Sequence, residues 1–377
     1  MNVSGFLALI LAALPFVSAE RPDFSLHNAT TWKKTACDTY LDCPSYYDCY
    51  DVENGQVTEN TGGLGQCDCY MTLGIMGDAC DGRSSKSTVV ALFLVFNILL
   101  MLQLMVRNII VNHKLVAAKS FQLKKPSTQV FIAGPIVELG IIGYQFSLLM
   151  IILKSDPDSF FKDRGRAMFI SLSVLFTQFV SLSVAITWIS IAGAGGKRGK
   201  VELPLSLKIA KWTCEFLKVL TLIVLGVAGA TGNAQILRVY TVLQVILVAV
   251  FYYFGGKMIA KILMPDKRGE GVTDEAWAKQ CEPALKIKSV SKRCCIASIA
   301  YVFFQVASSP IIVQNKDPTK AFLGMCLFLT SVGPCAAFLL TEFFQYCCFG
   351  SRKALKTGKV ASFGAASTAS TMASSVD

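Results

Sequence analysis

Six cysteines near the amino terminus are the residues of this sequence best suited to form covalent cross-links. The segment 20–87 that holds them is too short to bury an adequate hydrophobic core, so disulfides are the expected means of stabilising it. Six cysteines allow fifteen pairings, and their spacing alone does not choose among these. The predicted disulfide cysteines are Cys37, Cys43, Cys49, Cys67, Cys69 and Cys80.

The side chains needed for the catalysis known in multi-helix membrane proteins are missing. The two histidines, His27 and His113, are fewer than seven-helix zinc hydrolases use to hold their metal. The last apolar segment has no lysine between 321 and 346 that could form a retinal Schiff base. We therefore predict that the protein is not an enzyme and that it carries no metal or other cofactor.

The elements that must position these residues are membrane-spanning helices. The chain of 377 residues is 53% hydrophobic and only 16% charged, and its mean hydropathy is +0.51. A bilayer is crossed by roughly 20 apolar residues, and such segments span as helices because every backbone amide needs an internal partner. We predict an all-α membrane protein, a seven-transmembrane helix bundle with a small disulfide-rich N-terminal ectodomain. The predicted spans are 88–110, 130–153, 167–192, 212–230, 236–256, 294–313 and 321–344.

The distribution of charge orients the chain. Residues 1–19 are typical of a signal peptide cleaved after Ala19. Lysine and arginine concentrate in alternate loops and in the tail, which the positive-inside rule assigns to the cytoplasm. We therefore predict an outer domain at 20–87, a bundle at 88–348 and a cytoplasmic Ser/Thr-rich tail at 349–377, with a plasma-membrane location. The net charge of +11 then faces anionic lipid rather than nucleic acid, and Asn28 begins an outer glycosylation sequon.

Polar residues inside the predicted spans are costly and therefore informative. Glu138 lies near the middle of the second span, among glycines that suggest close helix packing. Glu215 and Lys218 are three residues apart in the fourth span and either pair with each other or leave Lys218 to extend its charge alone toward the membrane surface. Glutamines occur in several spans and either line an internal cavity or join helices by hydrogen bonds; they are Gln103, Gln145, Gln178, Gln244 and Gln305.

The connection 257–293 is the longest predicted inner loop. Thr273 is a plausible helix N-cap there, followed by two acids and by Trp277. The loop either binds a cytoplasmic signalling protein or only places a tryptophan at the lipid interface. The predicted partner-binding residues are Trp277, Lys286, Lys288, Lys292 and Arg293. Cys347 and Cys348 are candidates for acylation or are simply small apolar residues.

The cysteine pattern of residues 37–80 resembles an EGF-like module. The resemblance rests on the Cys67-x-Cys69 pair and on the stretch from Gly74 through Gly77 to Cys80. It implies the disulfides Cys37–Cys49, Cys43–Cys67 and Cys69–Cys80. An unrelated three-disulfide knot with similar spacing is the alternative.

The layout of the whole chain resembles that of a G-protein-coupled receptor, with an outer domain, seven spans and an inner Ser/Thr-rich tail. A short similarity to the plant tobamovirus-multiplication family rests on Gln103, Arg107 and the stretch 128–131. The receptor-like layout implies a surface protein that senses an unknown extracellular ligand or protein and couples to a cytoplasmic protein. A small-solute or ion transporter or channel, lined by the glutamines and Glu138, is the alternative. A mere membrane anchor would need only one span.

Overall fold

The structure is a computed structural model of the chain. It describes residues 36–37, 47–51, 65–77, 80, 82–117, 126–153, 164–194, 204–231, 234–264, 273–313 and 318–343. The predicted signal peptide and tail lie outside the described residues, as do Asn28, Cys43, Cys347 and Cys348. The side chains of Cys37 and Cys49 are likewise outside what the structure describes.

Long helices make up most of the described chain, and the predicted spans lie within helical stretches as far as the structure describes the chain. They are α1 (Ser85–Ala117), α2 (Pro126–Leu153), α3 (Arg164–Ala194), α4 (Leu205–Thr231), α5 (Ala234–Leu263), α6 (Asp274–Val313) and α7 (Pro318–Thr330). A π-helical turn, Ser331–Cys335, continues α7 into a helical stretch at 336–343. We call 318–343 the last helix.

Six of these helices, in the residues described, are long and apolar enough to cross a membrane: α1, α2, α3, α5, α6 and the last helix. The chain is therefore a multi-pass membrane protein. The helix α4 occupies the position of the predicted fourth span, but the side chains of 225, 226 and 228–231 lie outside the described residues, and the described remainder carries four charged residues. Six spans are supported, and the count of seven stays a prediction.

Six helices pack as a ring in the order α1, α2, α3, α5, α6 and the last helix, and the contact of the last helix with α1 closes the ring. The helix α3 packs against both α4 and α5, so α4 lies beside the ring against these two neighbours. Close packing of α2 on α3 depends on Gly140, because an added Cβ there would lie 2.8 Å from the backbone oxygen of Phe169. The predicted close approach of helices around Glu138 is thus present.

Short strands precede the bundle. The strands β1 (Ala36–Cys37), β2 (Tyr47–Asp51) and β3 (Gly65–Cys69) form an antiparallel sheet in the order β1-β3-β2. The strands β4 (Ile75–Met76) and β5 (Gly82–Arg83) pair next to the start of α1. We call the end of the bundle next to β5 the cap end, and the opposite end the far end.

The predicted bounds of the connection 257–293 are wrong, although the helical start predicted within it is present. The helix α5 continues to Leu263 and α6 begins at Asp274, so most of this stretch is helical. Thr273 is the N-cap, as predicted, and its Oγ1 accepts a hydrogen bond from the Ala276 amide at 3.3 Å. The helix then continues because Cys281, Ala284 and Ile287 are buried at helical spacing.

Candidate functional site

A disulfide-closed cap sits at the cap end; it comprises residues 65–77, 80 and 82–84. The predicted Cys69–Cys80 disulfide is present, with the two Cα atoms 5.3 Å apart. Cys67 is also disulfide-bonded. Gly74 turns the chain with a φ of 72°, and a side chain there would also collide with the Ser87 backbone nitrogen, 2.6 Å from an added Cβ. The sequence needs glycine at this position for both reasons.

The cap shares one hydrophobic core with the ends of three helices. Leu73, Ile75 and Cys80 are fully buried in it. The helical residues of this cluster are Val90 and Leu94 of α1, Leu148, Ile151 and Ile152 of α2, and Met325 and Leu329 of α7. The cap is therefore packed on the bundle rather than tethered to it.

Two basic side chains reinforce this contact. The Arg83 Nε donates a hydrogen bond of 2.8 Å to the Ile152 carbonyl oxygen, at the carboxyl end of α2, where a positive charge is favourable. The Arg83 Nη1 donates to the Cys80 carbonyl oxygen at 3.2 Å. The Lys86 Nζ donates to the Thr319 Oγ1 at 3.0 Å, which joins the start of α1 to the start of α7. The cap end is thus held by polar as well as apolar contacts.

The π-helical turn of the last helix is enclosed by polar side chains from two neighbours. Pro334 has no N–H and interrupts the regular hydrogen-bond pattern, and the Ala336 amide donates instead to the Ser331 carbonyl, five residues back. The Asn97 Nδ2 donates to the Leu329 carbonyl oxygen at 3.1 Å. The Gln305 Nε2 donates to the Ser331 Oγ at 2.7 Å. Such turns often occur at functional sites in helices.

A second polar cluster joins α3, α4 and α5. The Gln178 Nε2 donates to the Thr241 Oγ1 at 2.8 Å. The Thr221 Oγ1 lies 2.9 Å from the Tyr240 hydroxyl, and it donates to the Gln244 Oε1 at 3.4 Å. Within the described residues the Gln178 Oε1 and the Gln244 Nε2 form no hydrogen bond.

The glutamines therefore differ in role. Gln178, Gln244 and Gln305 join helices, as one of the two predicted alternatives requires. Gln145 is fully buried, and neither of its amide atoms has a hydrogen bond among the described residues. Gln103 is exposed, so the prediction that it faces the interior is wrong, because the buried stripe of α1 runs instead through Asn97 and Met101.

Glu138 is fully buried between α1 and α2. The Asn108 Nδ2 donates to its Oε1, whereas its Oε2 has no hydrogen bond within the described residues. The Asn112 Nδ2 donates to the Phe131 carbonyl at 2.6 Å one turn further along α1. Sequence reasoning missed Asn97 and Asn108, although both lie on the helical stripe that continues Val90 and Leu94.

At the far end, a two-pronged ion pair connects α6 to the last helix. The Arg293 Nε donates to the Glu342 Oε1 at 2.9 Å, and the Arg293 Nη2 donates to the Glu342 Oε2 at 2.9 Å. The Arg293 Nη1 also donates to the Ser289 Oγ. We call these three residues the clamp. Beside it, Tyr252 packs against both Trp188 and Phe343, with ring centroids 5.2 Å and 5.9 Å away.

The predicted partner-binding residues all lie on α6, but they do not form one surface of free charges. Lys286 pairs with Glu282, and Arg293 belongs to the clamp. Lys288 and Lys292 are exposed, and neither has an ion pair among the described residues. Trp277 is half-buried. The structure thus leaves two lysines and one tryptophan available to a partner.

Thiols inside the bundle have packing roles. Cys214, Cys326 and Cys335 are thiols that take part in no disulfide. Cys294 and Cys295 are buried within α6, so they pack there as small apolar residues. In the part of the chain that the structure describes, no group of three or more His, Cys, Asp or Glu residues could hold a metal ion.

Comparison of the chain with protein-family models, curated proteins and solved structures found no match. The function must therefore be argued from the cap, the buried polar groups and the far end alone.

Proposed function

We propose that this protein is a receptor-like, seven-span protein of the plasma membrane. The ectodomain and the cap end sense an extracellular ligand or protein, and the far end binds a cytoplasmic protein. The amino terminus is outside and the carboxyl terminus is cytoplasmic in this proposal.

The observation that carries the proposal is the shared core of cap and bundle. Leu73 and Ile75 are buried against α1, α2 and α7, and burial of each such side chain contributes about 1.5 to 3 kcal/mol. A ligand that shifts the cap must change these contacts. Moving a two-state equilibrium from 1:99 to 99:1 takes roughly 5.5 kcal/mol, so contacts of this size are large enough to bias the bundle.

The last helix supplies the connection between the ends. It touches the cap through Met325 and Leu329, contains the π-helical turn in its middle, and ends in the clamp at Glu342. The π-helical turn offers a place where this helix can change its hydrogen-bond pattern. A change of cap contacts is thereby linked to the position of α6 at the far end.

The first experiment tests whether the two ends communicate. Arg83→Ala removes the hydrogen bond from the cap to α2, and Lys320→Ala removes the same charge at an exposed position of the same end. We expect only the first variant to change the deuterium uptake of residues 274–293 in lipid nanodiscs. Equal uptake in Arg83→Ala and the wild type would remove the main support for a receptor.

The second experiment tests the cytoplasmic surface. The triple variant Trp277→Ala, Lys288→Ala and Lys292→Ala should lose the cytoplasmic proteins that photo-crosslink to the wild type in intact cells. Lys279→Ala is the control, because Lys279 is paired with Glu275 on the first turns of the same helix. Recovery of the same proteins by the triple variant, at equal surface expression, would contradict the coupling role.

A transporter or channel is the second candidate, and the unsatisfied amides favour it. Gln145, Gln178 and Gln244 are buried, and each has hydrogen-bonding atoms that are unused within the described residues. Buried polar atoms of this kind are usually satisfied by water or a ligand. Ion or solute flux through purified protein in liposomes would support this candidate, and its absence together with far-end coupling would support the receptor.

A further inference from the structure

A stripe of charged residues runs along one face of α4. Lys208, Lys211, Glu215 and Lys218 follow one another at intervals of three and four residues, so they share one side of the helix. The stripe starts in the first turn of α4 at the far end and reaches toward the middle of the helix.

Contacts of Lys218 show which way the stripe faces. Its Nζ lies 4.9 Å from the centroid of the Phe179 ring on α3 and 3.8 Å from the Glu215 Oε2. The opposite flank of α4 faces α5, because the Ser206 Oγ donates to the Met258 Sδ at 3.5 Å. The stripe therefore borders the groove between α3 and α4. Lys218 lies at the end of the stripe nearest the middle of α4, which we call the deep end of the groove.

The next face of α4 is apolar and uncovered. Ile209, Trp212 and Phe216 are all exposed, and Trp212 is 77% exposed. Large apolar side chains at this spacing on the outside of a membrane helix contact acyl chains. Lys208 and Lys211 are exposed beside them, so charge and apolar surface adjoin where α4 meets the bilayer.

The positive charge of the stripe is not balanced among the described residues, where neither Lys208 nor Lys211 has an ion pair. Three lysines against Glu215 leave a charge of +2. The stretch 195–203, which precedes α4 in the sequence, is itself basic, with Lys197, Arg198 and Lys200 against Glu202. An anion from outside the chain would therefore complement the stripe.

We propose that the groove between α3 and α4 binds an anionic phospholipid. The lysines at 208 and 211 hold the headgroup phosphates as point charges, while the acyl chains lie along Ile209, Trp212 and Phe216. Tryptophan is enriched at membrane–water interfaces, so in this proposal Trp212 anchors α4 beside the headgroup. The Lys218–Glu215 pair closes the deep end, because the carboxylate repels a phosphate that moves further in. This inference does not rest on the proposed receptor function.

The test uses the full chain in detergent micelles and measures bound lipid by native mass spectrometry. The probes are dioctanoyl phosphatidylinositol 4,5-bisphosphate and, as the neutral comparison, dioctanoyl phosphatidylcholine. Each basic residue near a membrane surface contributes roughly fivefold to the binding of anionic lipid. The double variant Lys208→Gln, Lys211→Gln should therefore weaken binding of the anionic probe about thirtyfold.

The matched control is Lys257→Gln, Lys261→Gln, which removes two exposed lysines at the same end of the neighbouring helix α5. It should change the affinity less than twofold if the groove is a defined site. Glu215→Gln removes the repelling carboxylate and should strengthen binding about fivefold, a gain that no misfolded variant would show. Equal losses in both double variants, no gain from Glu215→Gln, or equal affinity for both probes would overturn the proposal.

Discussion

From the geometry of the clamp we predict that replacing one of its two charged residues lowers stability more than replacing the other. Arg293 and Glu342 share a two-pronged ion pair, but the side chain of Arg293 is 43% exposed whereas that of Glu342 is 8% exposed. Removing Glu342 leaves an arginine that reaches water and keeps its bond to Ser289. Removing Arg293 leaves a buried carboxylate without its cation. Removing Arg293 should therefore lower the free energy of unfolding more than removing Glu342.

The expected losses of stability follow from how exposed each of the two side chains is. Breaking a buried ion pair by removing one partner costs about 3 to 5 kcal/mol, and the partial exposure of this pair places Arg293→Gln near the lower value. Glu342→Gln loses the charge-assisted part of two hydrogen bonds to a half-exposed arginine, about 1 kcal/mol. The double variant Arg293→Gln, Glu342→Gln leaves no buried charge without a partner, so its loss of stability should be close to that of Glu342→Gln.

The assay is thermal unfolding in detergent, followed with a thiol-reactive dye. Cys281 and Cys294 are buried thiols, so they react only when the bundle opens. The unfolding midpoint should fall in the order wild type, Glu342→Gln, Arg293→Gln. As a control, Glu282→Gln breaks the pair with Lys286 on the exposed side of α6 and should cost only about 0.3 to 0.5 kcal/mol. The reasoning is refuted if Glu342→Gln is as damaging as Arg293→Gln.

Three further predictions concern the bundle, the disulfides and the topology. Gly333→Ala should lower the unfolding midpoint by the equivalent of about 1 to 3 kcal/mol, because the added Cβ overlaps the carboxamide of Asn97. Peptide mapping without reduction should find Cys67 joined to Cys43, as the resemblance to an EGF-like module implies. An epitope placed after Glu20 should be labelled on intact cells, whereas one at the carboxyl terminus should need permeabilisation.

Each of these has a result that would contradict it. The cost of Gly333→Ala should shrink in an Asn97→Ala background, and an unchanged cost would exclude the overlap as its cause. Cys49 lies directly opposite Cys67 in the register of β2 and β3, so a Cys49–Cys67 disulfide is the pairing that would displace the EGF-like order. Labelling of the carboxyl terminus on intact cells would contradict the seven-span topology.

Hydropathy predicted where the helices lie but not how far they extend. The predicted span 294–313 is the apolar part of α6, which begins twenty residues earlier at Asp274. The length of an apolar segment matches the thickness of the hydrocarbon core. Helical turns outside that core are polar, because water can hydrogen-bond to them, so hydropathy does not reveal them. The N-cap at Thr273 was visible in the sequence, because capping depends on residues within one turn. The sequence did not show that the helix which begins there continues into the predicted span.

In the candidate sites, contacts between residues close in sequence could be predicted, and contacts between distant helices could not. The Cys69–Cys80 disulfide and the Glu215–Lys218 pair join residues close in sequence; the disulfide was predicted, and the pair was one of two predicted alternatives. The bond from Asn97 to Leu329 joins helices at opposite ends of the chain, and no spacing rule connects them. Gln103 was misassigned because α1 is apolar on nearly every face, so its periodicity does not reveal which side is buried.

The length of α6 has a mechanical consequence. Its 40 residues, at about 1.5 Å each, make a rod of roughly 60 Å, about twice the hydrocarbon thickness of roughly 30 Å. The hydrogen bond from Gln305 to Ser331 fixes this rod near the cap end, so about 45 Å of it lies on the other side of that contact. With the clamp open, a rotation of about 5° there sweeps the Thr273 end through roughly 4 Å. The helix is thus a lever arm that converts a sub-ångström adjustment around the π-helical turn into a displacement larger than a hydrogen bond.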